Sequence, residues 1–267
     1  MNFLYRLASQ LRTAAPWLLL SASLLTGGVA AATIDAAQLI DAAGRQRMLT
    51  QRIVKAYCQV GLQVTPQVSR AQLDAAIRRF DSQLTMLATN VSNAEMGAVV
   101  KDLSAQWQGF RRTASGPVSR DGARALAERS DSLLQRAHAL VLLLERDAGT
   151  PQARLINIAG RQRMLTQRMA KLYMLRAWGI DPAPIEGEID AAAAQFAEAL
   201  DSLRAARENT AEIKRELDAV SLQWEWFRSA IELQGAESYV LVVADASESI
   251  LNSMELITAK YARLARR

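Results

Sequence analysis

Nine residues occur twice in the chain: Gly44-Arg45-Gln46-Arg47-Met48-Leu49-Thr50-Gln51-Arg52 returns unchanged, 116 residues later, as Gly160-Arg161-Gln162-Arg163-Met164-Leu165-Thr166-Gln167-Arg168. Between residues 40–57 and 156–173, 13 of 18 positions agree, while elsewhere the halves share mostly a pattern. A recent duplication would leave similarity everywhere, and a shared helix would need only its apolar positions kept. Identity at arginines and glutamines therefore points to a binding site. A guanidinium is planar, permanently charged and carries paired donors, which suits a small planar oxyanion such as nitrate, nitrite or a carboxylate.

With Gly44 at zero on a helical wheel, Gln51 falls at about −20°, Arg47 at about −60° and Met48 at about +40°, away from the core residues Leu49 and Ile53. The motif is thus a second face, centred on a glycine whose missing side chain lets another helix backbone come close. Two such faces meeting through Gly44 and Gly160 would set Arg47 and Arg163 in one partly dry space. Met48, Met164, Gln51 and Gln167 would line it, and Arg45, Arg52, Arg161 and Arg168 would flank it as further basic residues. Two buried cations without a counter-ion are costly, and an anion between them removes that cost. The competing reading is a basic face whose arginines pair with Asp and Glu of neighbouring helices.

Other chemistry finds little support. There is no nucleophile with a base, no pair of acids in one motif and no metal-ligand spacing, so neither an enzyme nor a metal or cofactor is expected. Cys58, the single cysteine, has Met174 as its counterpart and reads as buried filler. His138, the single histidine, sits among Leu134, Ala137 and Val141 and reads as a tolerated helix residue.

The elements that must hold the motifs are helices. Six prolines and thirteen glycines are few for 267 residues, and apolar residues recur at three and four rather than at two. A first helix runs from Ile34 to about Leu62. Leu73, Ile77, Phe80, Leu84 and Leu87 mark a second. Ser92 with Glu95 has capping-box spacing and opens a third, with Trp107 and Phe110 inward. Leu126, Leu133, Ala137, Leu140 and Leu144 carry a fourth. The second half repeats this order, with Pro182 and Pro184 in place of Pro66, Asn209 with Glu212 as a cap, and Trp224 and Phe227 overlaying Trp107 and Phe110. The spacing predicts an all-α protein of two tandem up-and-down four-helix bundles forming a pseudo-symmetric pair, residues 33–148 and 152–267. At the joint, Gly149 can end one helix, Thr150 cap the next and Pro151 occupy its first turn. The chain should reverse there and bring the motif helices together in parallel; a continuous helix would instead make a long rod.

Residues 1–32 read as a signal peptide. Arg6 and Arg12 precede an apolar run from Ala14 to Leu25, and small residues follow to a cleavage point after Ala32. The run is short for a membrane span of roughly 20 residues. Its removal lowers the formal charge from +5 to +3, a mild bias that is not a nucleic-acid signature.

The segment Asn157-Ile158-Ala159-Gly160-Arg161-Gln162-Arg163-Met164-Leu165-Thr166-Gln167-Arg168, with its partner from Asp41, resembles the signature of the PilJ-type, or NarX-like, sensor domain. The resemblance covers both repeats and centres on Ala-Gly-x-x-Arg-Met-x-x-x-Arg. It implies a periplasmic four-helix bundle that dimerises through its first helices, as in nitrate/nitrite sensor kinases and the type IV pilus chemoreceptor. In the nitrate sensors, nitrate sits at the dimer axis on the arginine before the methionine. The resemblance thus implies Arg47 and Arg163 as ligands, with Gly44, Met48, Gly160 and Met164 shaping the site. Arg45 and Gln46 stand where the nitrate sensors hold small or apolar residues, which brings the motif closer to the pilus-receptor version. No transmembrane helix is expected after the fourth helix, and no HAMP, kinase or methyl-accepting region is expected within these residues. The expectation is a periplasmic, soluble sensory or accessory component that binds a small oxyanion, nitrate or nitrite ahead of a carboxylate, between the two motif-bearing first helices, with a membrane sensor or chemoreceptor as partner. The alternative is a helical interaction module without a small ligand.

Overall fold

The computed structural model describes residues 34–180, 185–232 and 237–266. The leader expected at residues 1–32 and the break expected at Pro182 and Pro184 lie outside the described residues. Residues 34–267 form one compact unit. Its described residues make eight helices and no strand: α1 (Ala36–Gly61), α2 (Pro66–Asn90), α3 (Ala94–Ala114), α4 (Arg120–Ala148), α5 (Pro151–Ala177), α6 (Ile185–Arg204), α7 (Ala211–Glu232) and α8 (Glu237–Leu264). Within the first four, α1 packs on α2 and α4, and α3 on α4; α5 packs on α6 and α8, and α7 on α8. These are the two tandem bundles that the periodicity predicts.

Local chemistry sets most helix ends. Asp35 and Gln38 close a capping box on α1. Asn93 caps α3 by accepting from the Met96 N–H, and Thr210 caps α7 by accepting from Ile213. Both caps lie one residue after the positions expected from spacing, Ser92 and Asn209. In each pair both residues can cap, and the one whose oxygen reaches the N3 amide takes the role. Asn209 turns its Nδ2 to the Leu203 and Arg204 carbonyls at the end of α6 and accepts from the Tyr261 hydroxyl. At the joint, Gly149 adopts φ 59° to end α4, Thr150 accepts from the Ala153 N–H, and Pro151 fills the first turn of α5. The chain reverses there.

That reversal makes α1 and α5 the central pair, with the most extensive helix contact in the fold. Their direction follows from shared partners. Glu255 on α8 reaches Arg45 and Arg163, and Ser247, about two turns earlier, accepts from Lys55 and Gln167. Trp178, just past α5, lies against Gly61 at the end of α1. Like positions therefore sit at like heights, and the two helices run parallel. Both are buried on nearly every face, so their polar residues had to find partners inside the protein. The outer aromatics are core: Phe80 stacks on Trp107 at 3.8 Å and Phe196 on Trp224 at 4.3 Å. Cys58 is buried, and burial pushes its thiol above the usual range.

Candidate functional site

Gly44 and Gly160 face each other across the seam. A Cβ on Gly160 would lie 3.9 Å from Gly44 Cα, an approach that a pair of larger residues would hinder. Both guanidinium groups gather at this point. The Nη2 atoms of Arg47 and Arg163 each lie 3.5 Å from the place of a Gly44 Cβ, and 3.3 and 3.2 Å from that of a Gly160 Cβ. Arg47 is 1% exposed and Arg163 0%.

Their partners differ. Arg163 Nη2 donates to Asp41 Oδ1 at 2.8 Å, and its Nη1 lies 3.6 Å from Glu255 Oε1. Arg47 Nη1 lies 3.2 Å from His138 Nδ1, and its Nη2 donates to the Asn157 carbonyl at 3.2 Å. Asn157 is the counterpart of Asp41 at an offset of 116, and His138 that of Glu255 at 117, the offset that also relates Ser130-Asp131 to Ser247-Glu248. Two acids at one pole are thus replaced by an amide and an imidazole at the other. Glu145 offsets only part of the Arg47 charge and is itself engaged by the Asn157 side-chain amide. Burial first, then Arg163 and Arg161, push the Arg47 guanidinium down. A guanidinium stays charged at neutral pH, so the outcome is a destabilised cation rather than a neutral one. Of the two readings open from the sequence, Arg163 follows the one in which a motif arginine pairs with Asp and Glu, whereas Arg47 has no carboxylate among its hydrogen-bond partners.

His138 is the residue that sequence reasoning missed. Burial, then Arg47 and Arg161, hold its imidazole below the usual range, so the neutral ring can accept from Arg47 through Nδ1. Nothing in its local sequence marks it, since only tertiary packing sets α4 against Arg47.

The remaining motif residues divide between the α1–α5 seam and the surrounding scaffold. Gln51 and Gln167 are buried on the seam, donating to Thr50 Oγ1 and to the Ser247 carbonyl, and the Oε1 of each has no partner among the described residues. Met48 is buried, and Met164 lines a cavity with Arg47. Arg45 pairs with Asp41 and Glu255, Arg52 with Glu248, and Arg168 with Glu188 and Asp131. Arg161 donates to Gln195. Gln46 and Gln162 prove structural, donating to the Phe80 and Phe196 carbonyls of the adjacent helices. Lys55 and Lys171, kept in both repeats, are buried. Lys55 donates to Ser247 and Glu248, whereas Lys171 donates to Ser130 and stands 3.7 Å from Asp131, one methylene shorter than its counterpart Glu248.

The cavity beside Arg47 has a volume of about 280 Å³ and lies between α4, α5 and α6. Its polar wall includes Arg47, His138, Arg161, Arg168 and Glu188; Leu134, Met164 and Leu165 are among its apolar residues. No group of three or more His, Cys, Asp or Glu that could hold a metal occurs among the described residues. No helix among them is long and apolar enough to cross a membrane. Comparison with curated proteins and with solved structures gives no match. A family model described as PilJ, type IV pili methyl-accepting chemotaxis transducer N-term, matches residues 33–142 and 149–247, one stretch for each bundle. With the duplicated motif, the paired bundles and both matches in agreement, the chain belongs to the PilJ family of sensory helical domains.

Proposed function

We propose that the protein is an exported, periplasmic sensory or accessory component that binds a small planar anion, nitrate, nitrite or a carboxylate, where α1 meets α5. The tandem pair within one chain takes the place of a dimer. The proposed site comprises Arg47 and Arg163 with Gly44, Gly160, Met48, Met164, Gln51 and Gln167, flanked by Arg45, Arg52, Arg161 and Arg168. The observation that carries the reading is Arg47: a fully buried cation, beside a second one, on the wall of a cavity and bonded to neutral partners. Burial of an unpaired charge is strongly unfavourable, and an entering anion offsets it.

Thermal denaturation with nitrate, nitrite, acetate, sulfate and phosphate at constant ionic strength tests this. At a hundredfold excess over Kd a bound anion should stabilise the wild type by about 2.7 kcal/mol. Arg47→Ala should lose that response, and Arg47→Lys should not restore it, because an ammonium lacks the planar paired donors. Equal stabilisation of all three proteins would mean general salt effects and remove the site. A second reading, docking of a partner protein, is favoured by Leu222 and Trp226. They lie one turn apart on α7 and are 74% and 71% exposed.

A further inference from the structure

We infer that the ligand is a small monocarboxylate with a short apolar tail, held to one side of the α1–α5 seam in the groove between α4, α5 and α6, and that Glu255 supplies the equivalent carboxylate from the chain itself at the other pole. The inference rests on the anion-binding reading and names the ligand class and its place. Two grooves flank the central helices, related by the pseudo-twofold. In the one bounded by α8, α1 and α2, the Glu255 carboxylate lies 3.5 Å from Arg45, 3.6 Å from Arg163 and 3.9 Å from Arg79, and Asp41 adds a second acid against Arg45 and Arg163.

The counterparts in the other groove are Arg161 for Arg45, Arg47 for Arg163, Gln195 for Arg79, His138 for Glu255 and Asn157 for Asp41. Two of three cations are kept and both acids are gone. One exogenous carboxylate against Arg47 and Arg161 takes the place that Glu255 holds in the other, since Glu145, outside the cavity wall, offsets only part of the Arg47 charge. Arg168 and Lys171 are already matched by Glu188 and Asp131. Where Glu255 stands among Arg45, Arg79 and Arg163 at the first pole, the second has a cavity of about 280 Å³, near the lower end of the ~300–1,000 Å³ of small-molecule sites. Leu134, Met164, Leu165 and Ala192 give it an apolar wall that nitrate would leave uncovered and an alkyl or aryl tail would cover.

Isothermal titration with butyrate, benzoate and nitrate, at ionic strength held constant with chloride, separates the possibilities. Butyrate or benzoate should bind the wild type once per chain and at least tenfold more tightly than nitrate. His138→Glu installs the carboxylate seen at the other pole, and it should weaken that binding at least tenfold while raising the melting temperature of the ligand-free protein. Arg161→Gln, at an exposed position with no role in the core, should weaken binding equally and keeps the test valid if His138→Glu folds poorly. Carboxylate binding untouched by either substitution would overturn the inference. Nitrate binding as tightly as the carboxylates, lost in Arg47→Ala but kept in His138→Glu, would also overturn it while leaving the anion-binding reading intact. Binding of no anion at millimolar concentration would remove both.

Discussion

Arg163 and Arg47 are the same residue of the same motif in two copies of one fold, and they live in opposite electrostatic conditions. Arg163 meets Asp41 and Glu255; Arg47 meets Asn157 and His138. Each pole buries one guanidinium, so helix packing is not the source of the difference. It lies in two side chains on neighbouring helices, which at one pole complete an internal salt bridge and at the other leave a cation beside a cavity. A duplicated domain can thus keep its motif unchanged and still specialise, by altering what the motif faces.

The largest effect should come from removing the two arginines in turn. Arg163→Ala strips Asp41 and Glu255 of a buried partner. It should cost about 3 kcal/mol in a denaturant titration, the lower part of the range for breaking a buried pair, because Arg45 still reaches both acids. Arg47→Ala removes an unpaired buried charge and should change the stability of the ligand-free protein by no more than about 1 kcal/mol, in either direction. Equal losses from both would dissolve the comparison.

A second contrast concerns the buried lysines. Burial, opposed only partly by Asp131, pushes Lys171 down to about 8 from the ordinary 10.5. Between these values the unfolded chain holds more protons than the folded one, so stability should rise as pH rises through that window. Relative to Lys171→Met, the wild type should gain on the order of 1 to 3 kcal/mol, a unit of pKa being worth about 1.4 kcal/mol. A difference that stays flat between pH 8 and 10.5 would show that Asp131 balances the charge after all.

The duplicated nonapeptide made the glycine contact and the converging arginines legible in the sequence, because close helix approach and buried charge both need particular residue types at fixed spacing. Gly149-Thr150-Pro151 made the reversal legible for the same reason. Three things were hidden. Cap positions depend on which of two adjacent polar side chains reaches an amide, as at Ser92-Asn93 and Asn209-Thr210. Gln46 and Gln162 are identical in both motifs, yet they satisfy backbone carbonyls of neighbouring helices, so identity at a polar position can serve packing as well as binding. His138 and Glu255 differ in type and stand outside the motif, and only the packing of α4 and α8 sets them against its arginines.

Smaller effects sharpen the same contrast. Gly44→Ala places a methyl in ordinary contact, 3.5 Å from both guanidinium ends, and should gain up to ~1 kcal/mol from helix propensity. Gly160→Ala meets them at 3.2 and 3.3 Å and must displace them, so it should lose that gain and weaken anion binding. Calorimetric melting of the two proteins reads the difference; equal gains would mean that the guanidinium groups move freely. The smallest effect belongs to His138. Its imidazole is held below the usual range when folded, so stability should fall as pH drops through the unfolded value of about 6.5 and level off below the folded one. The direction is read as wild type against His138→Gln in urea titrations at several pH values, and a difference that does not shrink below about pH 6.5 would contradict it.

The most direct measurement is diffraction from crystals grown in sodium bromide, with data collected at the bromine absorption edge. Bromide marks where an unpaired cation accepts an anion, whatever the physiological ligand. The structure leads to an anomalous peak between Arg47, His138 and Arg161, and none against Arg163, whose donors face Asp41 and Glu255. Bromide at Arg163, at both poles equally, or at neither would contradict the assignment of the anion site to the Arg47 pole.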